Sequence, residues 1–148
     1  MEQELDDRLV GEFPNLYRDR HASMQVTCMC WGFDVGDGWF EMIYNLSVKL
    51  EKMILDLPEE ARPDCKASQV KEKFGGLRFY MDGATDEMHA LIRDAETLSY
   101  HICETCGKNG GLRKGGWLKV LCEEHAEGRE LSKPPQVMTF ATKVEDKK

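Results

Sequence analysis

The sequence predicts a fold of the α+β class, in which a small antiparallel hairpin or sheet packs on two amphipathic helices and a module bearing Cys and His pairs follows. Three observations predict it: helical spacing of apolar residues in two segments, alternation of apolar and polar residues around a Gly-Gly pair, and paired Cys and His residues in the last third. A chain of 148 residues fits one domain that buries roughly 70% of its unfolded surface. We therefore expect the core to form without disulfides.

The first amphipathic helix is predicted between residues 37 and 57, where apolar side chains recur in steps of four and three. Asp37 is the expected N-cap, and Pro58 lies where the helix cannot continue. The buried stripe is predicted to consist of Trp39, Ile43, Leu46, Leu50, Met53 and Leu57.

A β-hairpin is predicted over residues 69–81, QVKEKFGGLRFYM, because a Gly-Gly pair supplies the positive φ angles of a type I′ turn. With the glycines at positions 75 and 76 in the turn, the expected cross-strand pairs are Phe74 with Leu77, Lys73 with Arg78, and Lys71 with Tyr80. The side chains expected on the core face are Val70, Phe74, Leu77, Phe79 and Met81.

The second amphipathic helix is predicted to begin after Thr85, an N-cap residue followed by two acidic residues in the first turn. Its expected apolar stripe is Met88, Leu91, Ile92, Ala95 and Leu98. A polar face, interpreted as solvated, is formed by His89, Arg93, Glu96 and Tyr100.

The ends of the chain carry weaker patterns. DDRLVGEF and NLYRDRH indicate short helices on either side of Pro14, MQVTCMCW indicates a strand, and LCEEHAEGREL indicates a third short helix. PPQVMTFATKVEDKK indicates an extended tail. We therefore divide the chain into an α+β body at 1–100, a Cys- and His-bearing module packed on it at 101–132, and a tail at 133–148.

Two pairs of metal-capable side chains lie in the module: Cys103-x-x-Cys106, fifteen residues, then Cys122-x-x-His125. Zinc prefers four such ligands in a tetrahedron, and a set of four protein ligands is typical of a structural site. Gly107 permits a tight turn whose N–H groups face the thiolates, and Cys122 is expected at a helix N-terminus. The sequence thus predicts structural Zn²⁺ bound by Cys103, Cys106, Cys122 and His125.

Other metal and thiol sites are weaker hypotheses. A thioredoxin-like site needs a βαβ unit, a zinc deaminase needs His-x-Glu with Pro-Cys-x-x-Cys, and a hydrolytic zinc keeps an open position. His101 is a second, less favoured candidate ligand. Cys28, Cys30, Cys65 and His21 are candidates for a second site, but we favour inert, buried thiols, with Cys28 and Cys30 on one face of a strand.

Charge is unevenly distributed. Residues 1–60 hold five Lys/Arg against thirteen Asp/Glu (5 − 13 = −8), and residues 61–148 hold fifteen against fourteen (15 − 14 = +1). The net charge of −7 argues against nonspecific DNA binding. Anion binding should be local, and the candidate patch is on the hairpin: Lys71, Lys73, Arg78 and Tyr80. The alternative is that these cations extend into solvent or pair with nearby acids such as Glu72.

Four fragments together resemble a family of small proteins of phages and bacterial genomes: CMCWGFDVGDGWFEMI, VKEKFGGLRFY, the helix leading into CETCG, and GWLKVLCEEH. The resemblance covers roughly residues 14–126. It implies a coherent fold, a phage or prophage origin and a zinc module that resembles a treble clef. It implies no activity.

The residues favour a binding protein over an enzyme. The chain has no nucleophile elbow, phosphate-binding glycine loop or open zinc site. Without a basic, apolar leader or a long apolar run we expect a cytoplasmic protein, in the host cytoplasm if it is phage-encoded. We expect a non-catalytic, zinc-stabilised protein that engages a host protein. The alternatives are a counter-defence protein that sequesters an anionic nucleotide or nucleic acid, and a small treble-clef nuclease.

Overall fold

The computed structural model describes residues 1–133, and the predicted tail at 133–148 lies outside the described residues except for its first residue, Lys133. Within this range the helices are α1 (Gln3–Glu12), α2 (Phe40–Leu55) and α3 (Asp86–Ser99). The strands are β1 (Phe33–Asp34), β2 (Lys66–Lys73), β3 (Gly76–Asp82), β4 (Gly111–Arg113) and β5 (Lys119–Leu121). Short 3₁₀ turns occupy Cys28–Trp31, Asp37–Trp39, Glu59–Asp64 and Glu123–His125. The predicted α+β class is confirmed.

A three-stranded sheet in the order β1-β2-β3 forms the body. The predicted hairpin is β2 and β3, and β1 is an additional short strand that pairs parallel to β2, with Phe33 beside Val70 and Asp34 beside Lys71. Phe33, Val70 and Phe79 are buried on the inner face. The opposite, outer face of the sheet carries the predicted cationic patch.

The hairpin turn lies one residue earlier than predicted, which shifts each cross-strand partner by two residues. Lys73 pairs with Gly76, so Phe74 and Gly75 form the centre of the turn, with φ angles of 54° and 89°. Phe74 is 62% exposed, and its predicted place on the core face is wrong. The register follows from packing, because the ring of Tyr100 lies against Gly76 and leaves no room there for a side chain.

Helix α2 buries the predicted stripe for most of its length. Trp39, Ile43, Leu46 and Leu50 are buried, whereas Met53 and Leu57 are partly buried at the edge of the core. The helix starts from the 3₁₀ turn without a side-chain cap. Asp37 was predicted as that cap, but its Oδ1 instead accepts a hydrogen bond of 2.8 Å from the N–H of Glu2 at the start of α1. The carboxylate therefore binds the residue before α1 and leaves α2 uncapped.

Helix α3 covers the outer edge of β3. Thr85 caps the helix as predicted and accepts from the N–H of Met88 at 3.2 Å. At the other end, Ser99 Oγ accepts from the N–H of Leu77 and Glu96 Oε2 accepts from the N–H of Phe79, each at 3.0 Å. These two side chains satisfy strand N–H groups that face away from β2 and close that edge of the sheet to another strand.

Contact with the sheet edge also changes which face of α3 is buried. Ser99 and Tyr100 are buried, while Leu98, predicted in the apolar stripe, is 49% exposed. Glu96 is half-buried, so the predicted solvated face is wrong for Glu96 and Tyr100. The reason is that α3 packs on the edge of β3 as well as on α2. Polar side chains of α3 bond there to N–H groups of β3, and the helical periodicity of the sequence does not reveal these bonds.

The segments before β1 differ most from prediction. α1 contains most of DDRLVGEF, but NLYRDRH forms consecutive turns and MQVTCMCW forms turns and a 3₁₀ segment in place of a strand. Arg20 explains this arrangement, because it binds the buried Asp6 carboxylate at 3.0 Å and donates to the carbonyl of Cys30 at 2.9 Å. The guanidinium of Arg20 therefore donates the hydrogen bond to the Cys30 carbonyl that a neighbouring strand would otherwise have donated.

Two substitutions of Glu96 test the covered edge. Glu96→Ala leaves the N–H of Phe79 without its partner and should lower the free energy of unfolding by about 1–3 kcal/mol. Glu96→Gln keeps an acceptor and removes the charge, so it should be neutral or stabilising at pH 7.5. Urea denaturation of both variants and of the native protein measures these effects.

The pH dependence has a definite sign. Burial raises the pKa of Glu96 above 4.5, against the lowering effect of the Phe79 N–H and of Arg78 and Arg93. A raised folded pKa means that stability falls as pH rises from the unfolded pKa through the folded one. The advantage of Glu96→Gln over the native protein should therefore be larger at pH 7.5 than at pH 5, and an advantage that stays constant would contradict the buried charge.

Candidate metal centre

The first ligand pair lies in a tight backbone turn directly after α3. The N–H of Cys103 donates to the carbonyl of Lys108 at 2.7 Å, and the N–H of Gly107 donates to the carbonyl of Cys103 at 2.9 Å. Gly107 has a φ of 82°, a conformation that glycine adopts without strain. The predicted turn around the first pair is thus formed.

The second ligand pair follows the predicted hairpin, which is the antiparallel pair β4 and β5. Cys122 comes immediately after β5, and His125 ends the three-residue 3₁₀ turn at Glu123–His125. The predicted third helix is wrong, because Glu127 and Gly128 have φ angles of 54° and 79°, which end helical structure. Within residues 1–133 the second pair is thus followed by no helix beyond this one 3₁₀ turn, and the treble-clef arrangement stays a prediction.

The four predicted ligands come together. Their ligand atoms all lie within 4.8 Å of one another. The Sγ atoms of Cys106 and Cys122 are 3.7 Å apart, and Nδ1 of His125 lies 3.2 Å from Sγ of Cys122 and 3.9 Å from Sγ of Cys103. A tetrahedral ion with Zn–S of about 2.3 Å and Zn–N of about 2.0–2.1 Å separates two sulfurs by about 3.8 Å and sulfur from nitrogen by about 3.6 Å. The arrangement fits one tetrahedral ion.

The surroundings favour the thiolate form, which a metal requires, at Cys103 and Cys122. At Cys106 the N–H of Lys108 lowers the pKa, but burial and the two neighbouring thiols outweigh it and raise the pKa above its usual value. Burial raises the pKa of the Cys103 thiol, but hydrogen bonds from the N–H groups of Cys122, Cys106 and Thr105 outweigh burial and lower the pKa to about 6. Burial also raises the pKa of Cys122, and the side chain and N–H of His125 reverse that effect and lower it. Metal ligands must be deprotonated, so this polar environment suits a bound cation.

The metal module, which is the segment 101–132 that carries the Cys₃His cluster, contacts the body through the GDGW segment at residues 36–39. Gly36 and Gly38 lie so close to the backbone of Glu104 that a side chain at either position would collide with it. The N–H of Gly38 donates to the carbonyl of Glu104, and Trp39 Nε1 donates to the carbonyl of Ile102, each at 2.8 Å. The two glycines therefore allow direct backbone contact between the start of α2 and the metal-binding turn.

The remaining thiols and histidines do not join the cluster. Cys28 is exposed and Cys30 half-buried on a 3₁₀ turn, so the predicted pair of buried thiols on a strand is wrong. Cys65 is buried, as predicted. His21 is exposed, and His101 is not among the clustered ligands.

The predicted anion-binding residues share the outer face of the sheet, with different pairing. Lys71, not Lys73, lies directly opposite Arg78, Lys73 lies opposite Gly76, and Tyr80 lies opposite Gln69. The carboxylate nearest in register is Asp34, next to Lys71. None of the ion pairs formed within residues 1–133 includes Lys71, Lys73 or Arg78. Their role in binding stays a prediction.

Sequence reasoning missed the neighbours of this patch. Met24, Val26 and Gln69 lie beside Tyr80 along one groove. Met24 and Val26 are more than 40 positions from Gln69 and Tyr80 in the chain, and no pattern around them indicates that they meet the sheet.

Comparison of the chain with protein-family models, curated proteins and solved structures finds no match. Within residues 1–133 no helix combines the length and the apolar composition that crossing a membrane requires.

Metal content tests the cluster. We expect one zinc ion per purified chain by elemental analysis, and chelation should loosen residues 101–132 because ion binding and folding of such a site are coupled. Cys106→Ser should lose the metal, whereas the control Cys28→Ser, which alters a thiol outside the cluster, should retain it. A native protein that is fully folded without metal would contradict the prediction.

Proposed function

We propose that this chain is a non-catalytic binding protein in which a structural zinc ion supports a surface for an anionic ligand on the outer face of the sheet. The observation that carries this proposal is the Cys₃His cluster, which offers four protein ligands to one tetrahedral ion. Four protein ligands leave no position for a reacting water or substrate. A zinc ion bound in this way would contribute stability and no chemistry. We therefore assign a binding function to the remaining surface of the protein.

The outer sheet face supports the binding half of the proposal. Lys71 and Arg78 are direct cross-strand neighbours, and like charges in that position destabilise a sheet. Arg78 Nη1 donates to the carbonyl of Leu77 at 2.9 Å, which satisfies one donor without neutralising the charge. An anionic ligand would relieve the repulsion, since neither Asp34 next to Lys71 nor Glu96 near Arg78 forms an ion pair with these cations within residues 1–133.

A protein partner docked on the acidic first third, a host protein if the chain is phage-encoded, is the second candidate. The charge of −8 in residues 1–60 favours a basic partner. At least six of the thirteen acidic side chains there already bond within the protein: Asp6 to Arg20, Asp7 to Gln3, Glu12 to Tyr44, Asp19 to Lys66, Asp37 to Glu2 and Glu51 to Asn15. Much of this charge is therefore structural, and the outer sheet face is the better supported surface.

A treble-clef nuclease is the third candidate and has the least support. Such an enzyme uses an additional His beside the metal as a base, and the cluster here includes none of His21, His89 and His101. We expect the zinc-loaded protein to leave single-stranded and double-stranded nucleic acids and nucleotides intact in gel and chromatographic assays. Cleavage that disappears in Cys122→Ala while the fold persists would refute a structural zinc.

Binding of a small anion tests the surface. Inorganic tripolyphosphate should bind the native protein in calorimetry at low salt, and binding should weaken as ionic strength rises. Lys71→Ala and Arg78→Ala should each weaken it severalfold. Lys71→Ala should leave the melting temperature unchanged or slightly higher, because it removes a like-charge pair. Lys49→Ala, an exposed lysine on α2, is the control and should bind as the native protein does. If neither sheet variant changes binding, the outer face is not the ligand surface.

A further inference from the structure

A groove runs along the outer face of the sheet at the end away from the hairpin turn. It has a volume of about 450 Å³, and one wall is the irregular segment 24–28. Its floor is formed by side chains of β2 and β3. The lining residues that matter for recognition are Met24, Val26, Cys28, Gln69, Tyr80 and Asp82.

The groove exposes apolar side chains that the core does not use. Met24 is 67% exposed, Val26 is 71% exposed and Tyr80 is 43% exposed, and all three line the same groove. Clustered exposed apolar residues rimmed by polar ones mark ligand-binding surfaces more often than isolated ones do. An aromatic ring on the floor beside an aliphatic wall is suited to a flat, apolar ring.

The floor of the groove continues directly into the cationic patch. Tyr80 and Gln69 are paired across the strands, and the adjacent pair on the same face is Arg78 and Lys71. Successive residues on one face of a strand are about 7 Å apart. A ligand whose ring stacks on Tyr80 can therefore place a second group, about 7 Å from the ring, between Arg78 and Lys71.

We propose that this groove binds a nucleotide, with the base stacked on Tyr80 against Met24 and Val26 and the phosphates held by Lys71 and Arg78. The inference rests on the proposed function and names the ligand class of that surface. Gln69 and Asp82 lie at the edge of the ring position, where an amide and a carboxylate can bond to the polar edge of a base. Lys73, further toward the turn, extends the positive charge for a second or third phosphate.

The charges favour a small nucleotide over a nucleic acid strand. The patch offers three cations, Lys71, Lys73 and Arg78. It is bounded by Asp34, Glu72 and Glu104 around Lys71 and by Asp82 at the far end. A longer strand would run its further phosphates past these carboxylates and over a protein with a net charge of −7. One to three phosphates match the cations available.

Calorimetry with ATP, GTP, CTP and UTP beside tripolyphosphate tests the inference. At least one nucleotide should bind about tenfold more tightly than tripolyphosphate, the gain expected from one base–aromatic stack. Tyr80→Ser should reduce that affinity to the tripolyphosphate level and leave tripolyphosphate binding unchanged, whereas Tyr80→Phe should retain it. Melting curves with and without zinc establish that each variant is folded.

Alkylation of Cys28 gives an independent readout, because this exposed thiol lies in the groove wall. The bound nucleotide should slow modification of Cys28 by N-ethylmaleimide, measured by peptide mass spectrometry, and tripolyphosphate should not.

Equal affinity for nucleotides and tripolyphosphate, with no effect of Tyr80→Ser, would overturn the nucleotide inference and leave the proposed anion-binding surface in place. Failure of every anion to bind would overturn the proposed function itself, and tighter binding of a single-stranded oligonucleotide than of any nucleotide would replace the small ligand with a nucleic acid.

Discussion

The close backbone contact between residues 36–38 and residues 103–107 is the constraint on which the rest of the structure depends. Gly38 lies against the carbonyl of Cys103 and bonds to that of Glu104, so a candidate metal ligand and the start of α2 touch without side chains between them. The same contact fixes the buried Trp39 through its bond to Ile102. Since Trp39 begins the stripe that α2 packs into the core, the position of the metal turn and the position of α2 are set together.

Polar side chains supply the hydrogen-bond acceptors that one edge of the sheet lacks. A three-stranded sheet has two edges, and here α3 covers one of them with Ser99 and Glu96. The inner face is filled by the core, so the outer face is the part of the sheet that the described residues leave open to solvent. The cations and Tyr80 are on that face because the two-residue period of β2 and β3 alternates them with Val70, Leu77 and Phe79.

The sequence alone predicts features that depend on local chemistry. Cys103, Cys106, Cys122 and His125 could be identified because spacing and ligand type suffice for a metal site, and Thr85 could be identified because a cap depends on its own helix. The hairpin register could not, since two glycines offer two positions for the turn and the choice is made by Tyr100, which lies more than 20 positions away. Likewise, Arg20 decides the conformation around Cys30, and no periodicity shows that contact. Predictions failed where a distant side chain determines the local backbone.

The metal module and the proposed ligand face are linked through the hairpin turn. Leu112 of β4 packs on Gly75, and Trp117 Nε1 donates to Glu72 Oε1 at 3.0 Å. The other oxygen of Glu72 accepts from the N–H of Gly75 at 2.7 Å, so one carboxylate bonds to both the turn and the β4–β5 hairpin. Glu72 lies between Lys71 and Lys73 in β2, and its bonds fix the backbone from which both lysines project. A metal ion bound by the four clustered ligands would therefore be connected to the outer sheet face through this short series of contacts.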